Sequence, residues 1–290
     1  MKKILKLQFY NMLRGKSFYF ALLLMCGLTA AFMLQSISTF INLDQTLLRP
    51  AWYLWYQNAV QSLMDRGSTS GYMTLLGMTG FLLLPFVAVL GYGASYYDGL
   101  KTGTVKSVLS RTSQKAYFVS GAIVTFTGAF LVILIPYVFE QMILLILCAG
   151  APQQNAAALS PVMDNWGYWL DVPEFLWSLQ MNHPVLFDLL CCLNPAMVGG
   201  AFAVLTYSLS LFIHKNRFLV LTLPGILLWF LADYVIGMTK LTGKVTTLSS
   251  LVQFSSMDTY VLWPVYVLVL LLISDILIYF KCHVKKDVLE

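Results

Sequence analysis

Long apolar runs, rather than short alternating ones, set the pattern of this chain. Six segments hold enough apolar positions to cross a bilayer: roughly residues 17–40, 71–95, 117–147, 186–213, 218–237 and 262–281. A helix rises about 1.5 Å per residue and a hydrocarbon core is about 30 Å thick, so about 20 apolar residues suffice to span it. All six are predicted to be helices, because a strand barrel would need short segments of alternating polarity, and the chain has none.

Two shorter patterns are amphipathic. In "MKKILKLQFYNMLRGK", residues 1–16, Leu5, Phe9, Met12 and Leu13 share one helical face while Lys2, Lys3 and Lys6 look elsewhere. This predicts a helix lying flat on the inner membrane surface with its lysines near anionic lipid. Between the second and third apolar segments stands "YYDGLKTGTVKSVLSRTSQKAYF", residues 96–118. Here Val105, Val108, Leu109 and Thr112 recur at helical spacing, opposite Gly103, Lys106, Ser107, Ser110 and Gln114. The pattern predicts a short surface helix starting near Thr104, preceded by a turn at Asp98-Gly99 and capped by Thr102 or Thr104. Arg111 and Lys115 fall where cations complement a helix dipole.

Proline and small residues modify the spans. The third segment would be about 45 Å long if wholly helical, so a kink at Pro136, tilt or protrusion must absorb the excess. Asn194-Pro195 predicts a second kink. Ala196 with Gly200 and Gly199 with Ala203 form small-residue pairs suited to close helix packing, with a gate hinge as the alternative. The connections over 41–70, with "AWYLWY", and 148–185, with Trp166, Tyr168, Trp169, Phe175 and Trp177, predict short helices at the outer surface. These serve as interfacial anchors or as a ledge that meets substrate. Residues 238–261 are rich in Ser and Thr yet contain "LSSLVQF", which is compatible with a re-entrant element shielded by protein.

Composition agrees with the pattern. Only 11% of residues are charged, against about 25% in soluble domains, so the 290 residues form one integral membrane domain. No repeat or linker divides it. The net charge of +5 reflects topology rather than nucleic-acid binding. Of 18 basic residues, only Arg49, Arg66, Lys240 and Lys244 fall on one side of the predicted spans. The rest lie in the N-terminal segment, the second-to-third and fourth-to-fifth connections, and the tail, which places both termini in the cytoplasm. Phe18 to Ile37 is long for a signal peptide and "LQSIST" is a poor cleavage site, so it is expected to be a retained first span.

Catalytic signatures are lacking. Cys26, Cys148, Cys191, Cys192 and Cys282 show no metal or redox spacing and are expected to be packing residues. His183, His214 and His283 are scattered, and "KCHVKK" is a poor metal site. No metal, cofactor or enzymatic activity is expected. No G-x-x-x-x-G-K-[ST] occurs, and "GLKTGTVK" lacks the spacing that cradles phosphates. Three carboxylates, Glu140, Asp233 and Asp275, stand within spans, where insertion costs about 2.5–3.5 kcal/mol at the centre. Glu140 and Asp233 are candidates for a path taken by a cationic substrate; interfacial solvation or a structural pair is the alternative.

Gly103-Thr104-Val105-Lys106, followed by Leu109-Ser110-Arg111, Lys115 and Tyr117, resembles the cytoplasmic connection between the second and third spans of bacterial ABC type-2 permeases. Six spans, internal termini and a polar outer segment before the last span extend the resemblance over the chain. Two positions depart from it: Asp98 stands about one position farther from Gly103, and Gly121 replaces a Lys that often follows the Tyr.

The resemblance implies an all-α permease subunit of an exporter in the bacterial plasma membrane, working with a second, identical or different, permease subunit. It implies a separate ATPase that holds ATP and Mg. Asp98, Lys101, Gly103, Thr104, Val105, Lys106, Val108, Leu109 and Arg111 would belong to the coupling helix that fits a groove on that ATPase. The substrate would be amphiphilic: a peptide, a lipid-linked molecule or a drug. A non-transporting sensor or assembly subunit and an ion-coupled secondary transporter are the competing readings.

Overall fold

The computed structural model of the chain describes residues 2–42, 83–147, 184–213, 216–238 and 257–283; among them there is no strand. Helix α1 covers Lys2–Arg14 and α2 Lys16–Asn42, with Gly15 between them. Helix α3 is described over 83–90, α4 covers Ser95–Lys101, α5 Thr104–Leu109 and α6 Gln114–Leu147. Helix α7 covers Pro184–Ser210 and α8 Arg217–Gly225; a π-helical turn over Ile226–Leu231 leads to α9, Ala232–Met238. Helix α10 covers Met257–His283.

Among the described residues, four stretches are long and apolar enough to cross a membrane: Gln114–Glu140, Cys192–Ser210, Arg217–Ile236 and Leu262–His283. Lys16–Ala31 forms a shorter apolar helix. The second predicted segment is only partly described, and its helix stops early. Residues 91–94 turn before α4 begins, whereas apolarity alone carried the helix to residue 95. Gly91 and Gly93 weaken the helix here, and the Gly93 N–H closes the turn on the Val89 carbonyl at 2.9 Å. The aromatic connections expected at the outer surface, over 43–70 and 148–183, and the segment 239–256 lie outside the described residues.

At the centre α6 packs along α7; α10 covers another side of α7, and α1 and α2 both pack on α6. The small-residue pairs explain the closeness of the central contact. Ala196, Gly199, Gly200 and Ala203 are all buried, and a Cβ on Gly200 would meet Phe126 at 2.9 Å. A Cβ on Gly199 would overlap the Ile133 side chain. Absent side chains let α6 ride on the α7 backbone, which gains dispersion contacts where lipid offers no hydrophobic drive.

Several hydroxyls in this core are satisfied within their own helix. Thr206 and Ser274 donate to the carbonyls of Phe202 and Leu270, one turn back, at 3.1 and 2.7 Å; Ser208 donates to Leu205 at 2.7 Å. Each hydroxyl closes on its own helix and so needs no partner from lipid. Pro136 and Pro195 are both buried inside their helices, and neither terminates its helix. In the Arg217–Met238 stretch a π-helical turn directly follows Pro224-Gly225.

Helix α1 uses a face rotated from the expected one, keeping Leu5, Phe9 and Met12 and leaving out Leu13. Ile4, Gln8 and Met12 are its buried residues, with Leu5 and Phe9 packed beside Met12 against α6 and α2. Leu13, grouped by sequence with that face, is exposed. Gly128 on α6 explains the registration, since a Cβ there would meet Met12 Sδ at 2.7 Å. Gln8 adds a polar tie by donating from Nε2 to the Tyr117 carbonyl at 3.2 Å.

Candidate functional site

Helices α4 and α5 form a short elbow between α3 and α6. Its bend lies at Gly103, whose φ of 75° is left-handed. Nothing stands within 4 Å of a Cβ built there, so backbone conformation rather than space calls for glycine. The Gly103 and Thr102 N–H groups close back on the Leu100 and Asp98 carbonyls at 3.1 and 3.0 Å, ending α4 as a left-handed glycine ends many helices.

Two sequence expectations are corrected here. Asp98-Gly99 is not a turn; both residues sit inside α4, and the bend falls four residues later. Neither threonine caps α5, whose N-cap is Gly103 without a side-chain hydrogen bond. The hydroxyls point backward instead: Thr102 Oγ1 donates to the Asp98 carbonyl at 3.0 Å, and Thr104 Oγ1 to the Gly99 carbonyl at 3.2 Å. Thr104 thus occupies the Gly99 carbonyl at the C-terminus of α4, and Thr102 adds a second donor to the Asp98 carbonyl that its own N–H already reaches. Helix α5 is also shorter than its apolar pattern, because the chain turns over residues 110–112.

The elbow is two-sided, as the periodicity required. Val105 is fully buried, and Tyr96, Leu100 and Leu109 join it against Phe118 of α6, Tyr207 of α7 and Ile278 of α10. Gly99 lets α5 approach α4, since a Cβ there would meet Val105 Cγ2 at 2.8 Å. On the other side Lys101, Gly103, Thr104, Lys106, Ser107, Ser110 and Arg111 are exposed. Val108 and Leu109 are half-buried. Of the residues singled out for coupling, Val105 is thus an anchor beneath the surface, and Lys101, Gly103, Thr104, Lys106 and Arg111 form the surface itself.

Asp98 belongs to neither face. Its Oδ2 meets Arg217 Nη2 at 3.0 Å, tying the elbow to the first residue of α8. Burial pushes the Asp98 carboxyl above its ordinary value, outweighing the lowering by Arg217 and Lys101. The pair positions two segments more than it stabilises them, since both side chains are about half exposed.

The three carboxylates expected within spans stand on other helices than the elbow's. Glu140 is buried in α6, Asp275 is exposed on α10, and Asp233 lies in α9 with its side chain outside the described residues. Among the described residues no group of three or more His, Cys, Asp or Glu side chains could hold a metal.

Sequence reasoning missed the supports beneath the elbow. Tyr207 is buried against Gly121, where any Cβ would overlap its hydroxyl. An isolated glycine in an apolar helix hints at such an approach but does not name the partner. Arg217 was legible only as a topogenic charge. No family model, curated protein or solved structure matches the chain.

Proposed function

We propose that this chain is the membrane permease subunit of an ABC exporter, with the α4–α5 elbow as its coupling element. In this reading the chain crosses the bacterial plasma membrane six times with both termini in the cytoplasm. It pairs with a second permease subunit and moves an amphiphilic substrate using ATP hydrolysed by a separate ATPase.

The observation that supports this reading best is the construction of the elbow. Polar and cationic side chains cover its outer face, while Val105 and Leu109 seat it on α6, α7 and α10. A push on the outer face cannot be absorbed by a floppy loop, because two short helices and a glycine bend held by backbone hydrogen bonds carry it. Such a push passes to three membrane helices as a rigid-body displacement. The Asp98–Arg217 pair adds the start of α8 as a fourth.

A second reading, ion-coupled transport, rests on the buried carboxyl-bearing residue Glu140. One experiment separates the two. The chain is purified with its cellular partners and reconstituted in vesicles, and flux is driven either by ATP or by an ion gradient. Co-purification of an ATPase with ATP-dependent flux supports the coupling reading. Flux driven by the gradient alone, with no ATPase bound, refutes it.

A further inference from the structure

We propose that the outward arc of α1 is a binding surface for anionic lipid headgroups. One face of α1 is consumed by protein: Ile4, Gln8 and Met12 are buried on α6. What remains exposed alternates cations with apolar groups, Lys3, Lys6 and Arg14 between Leu7, Tyr10 and Leu13. At about 100° per residue these six share one arc of the helix. The Arg14 guanidinium lies 5.0 Å above the Tyr10 ring, which shields its apolar side and leaves its donors at the rim.

This mixture decides the partner. A face meant for water has no need of Leu7, Tyr10 and Leu13, which are 42–53% exposed. An acidic protein would satisfy the cations, yet the next element argues for lipid. Helix α2 begins one residue beyond α1, and its apolar stretch over Lys16–Ala31 belongs in hydrocarbon. Gly15 therefore holds α1 at the membrane boundary, where leucine and tyrosine enter the acyl margin and lysine and arginine stems reach back to phosphates. The first acidic residue of the sequence is Asp44, so nothing in α1 or α2 opposes the anionic partner. This inference depends on membrane placement and not on the ATPase.

The test uses the full chain in phosphatidylcholine bilayers with trace spin-labelled phosphatidylglycerol or spin-labelled phosphatidylcholine. Electron spin resonance reads the motionally restricted fraction of each lipid. The native chain should retain phosphatidylglycerol preferentially, and the preference should fall as salt rises. Each cation near the surface contributes up to roughly fivefold, so Lys3→Gln, Lys6→Gln and Arg14→Gln combined should abolish most of it. Lys3→Arg with Lys6→Arg should keep it. Hydrogen exchange over α1 checks that the variant stays docked; if it does not, the single substitutions Lys6→Gln and Arg14→Gln decide by the same readout. Equal retention of both lipids by the native chain overturns the proposal. So does an unchanged preference in the docked glutamine variants, whether or not they lose an acidic protein partner.

Discussion

The carboxylate of Asp98 lies 3.0 Å from the guanidinium of Arg217, joining the elbow to the start of α8 across more than a hundred residues of sequence. Both groups are about half exposed, so Asp98→Asn should change unfolding free energy by no more than about 1 kcal/mol. Its effect should depend on pH. Because burial raises the folded carboxyl above its unfolded value, the folded chain holds more protons in the interval between the two. Stability from this group is therefore present below that interval and declines as pH rises through it. Thermal unfolding in detergent should show Asp98→Asn losing less stability than the native chain as pH rises through that interval.

Gly103 should tolerate side chains poorly, although there is room for them. Gly103→Ala at a φ of 75° should cost about 1–2 kcal/mol, and Gly103→Asn less. Gly103→Pro should be far worse, because the ring fixes φ near −65° and removes the N–H that closes on Leu100. Under the coupling reading, Gly103→Pro and Leu109→Asp should lose the ATPase or separate hydrolysis from flux, with the chain still inserted. Unchanged complex yield and flux in both variants would remove the elbow from the mechanism.

Tyr207 and Gly121 should behave as a coupled pair. Gly121→Ala forces a methyl into the Tyr207 side chain and should destabilise by about 1–3 kcal/mol. Tyr207 Oη is buried with no hydrogen-bond partner among the described residues, so Tyr207→Phe should be neutral or stabilise by up to about 1 kcal/mol. It should also relieve part of the Gly121→Ala penalty. A double-mutant cycle by thermal unfolding measures the coupling, and strict additivity would contradict the contact.

Met12 should govern the docking of α1. Met12→Ala removes a nearly fully buried side chain beside Gly128 and should cost about 2–5 kcal/mol at that contact. Faster hydrogen exchange across α1, with α6 and α7 still protected, is the expected result. The larger Gly128→Leu should displace α1 from the opposite side of the same contact.

Much of the helical layout could be read along the chain. Bilayer thickness and backbone hydrogen bonding act on each segment separately, so four of the apolar runs coincide with described stretches long and apolar enough to span a membrane. The elbow's two faces were also legible, since burial of Val105 and exposure of Lys106 follow from helical spacing. Its bend was not. Asp-Gly is a turn pair by local preference, yet Asp98 and Gly99 remain helical because packing of Tyr96 and Val105 extends α4 beneath them.

The sequence by itself determined the quantities that add up along one segment: hydrophobic length, periodicity, and the distribution of charge along the chain. Only the tertiary structure decided which surfaces meet. Ile4, Gln8 and Met12, rather than the arc that includes Leu13, took the protein contact because Gly128 leaves a hollow for Met12. Gly121 gained its purpose from Tyr207, and Asp98 its partner from Arg217. Those choices depend on complementary shape and charge between distant segments, and periodicity within a single segment carries no information about the partner.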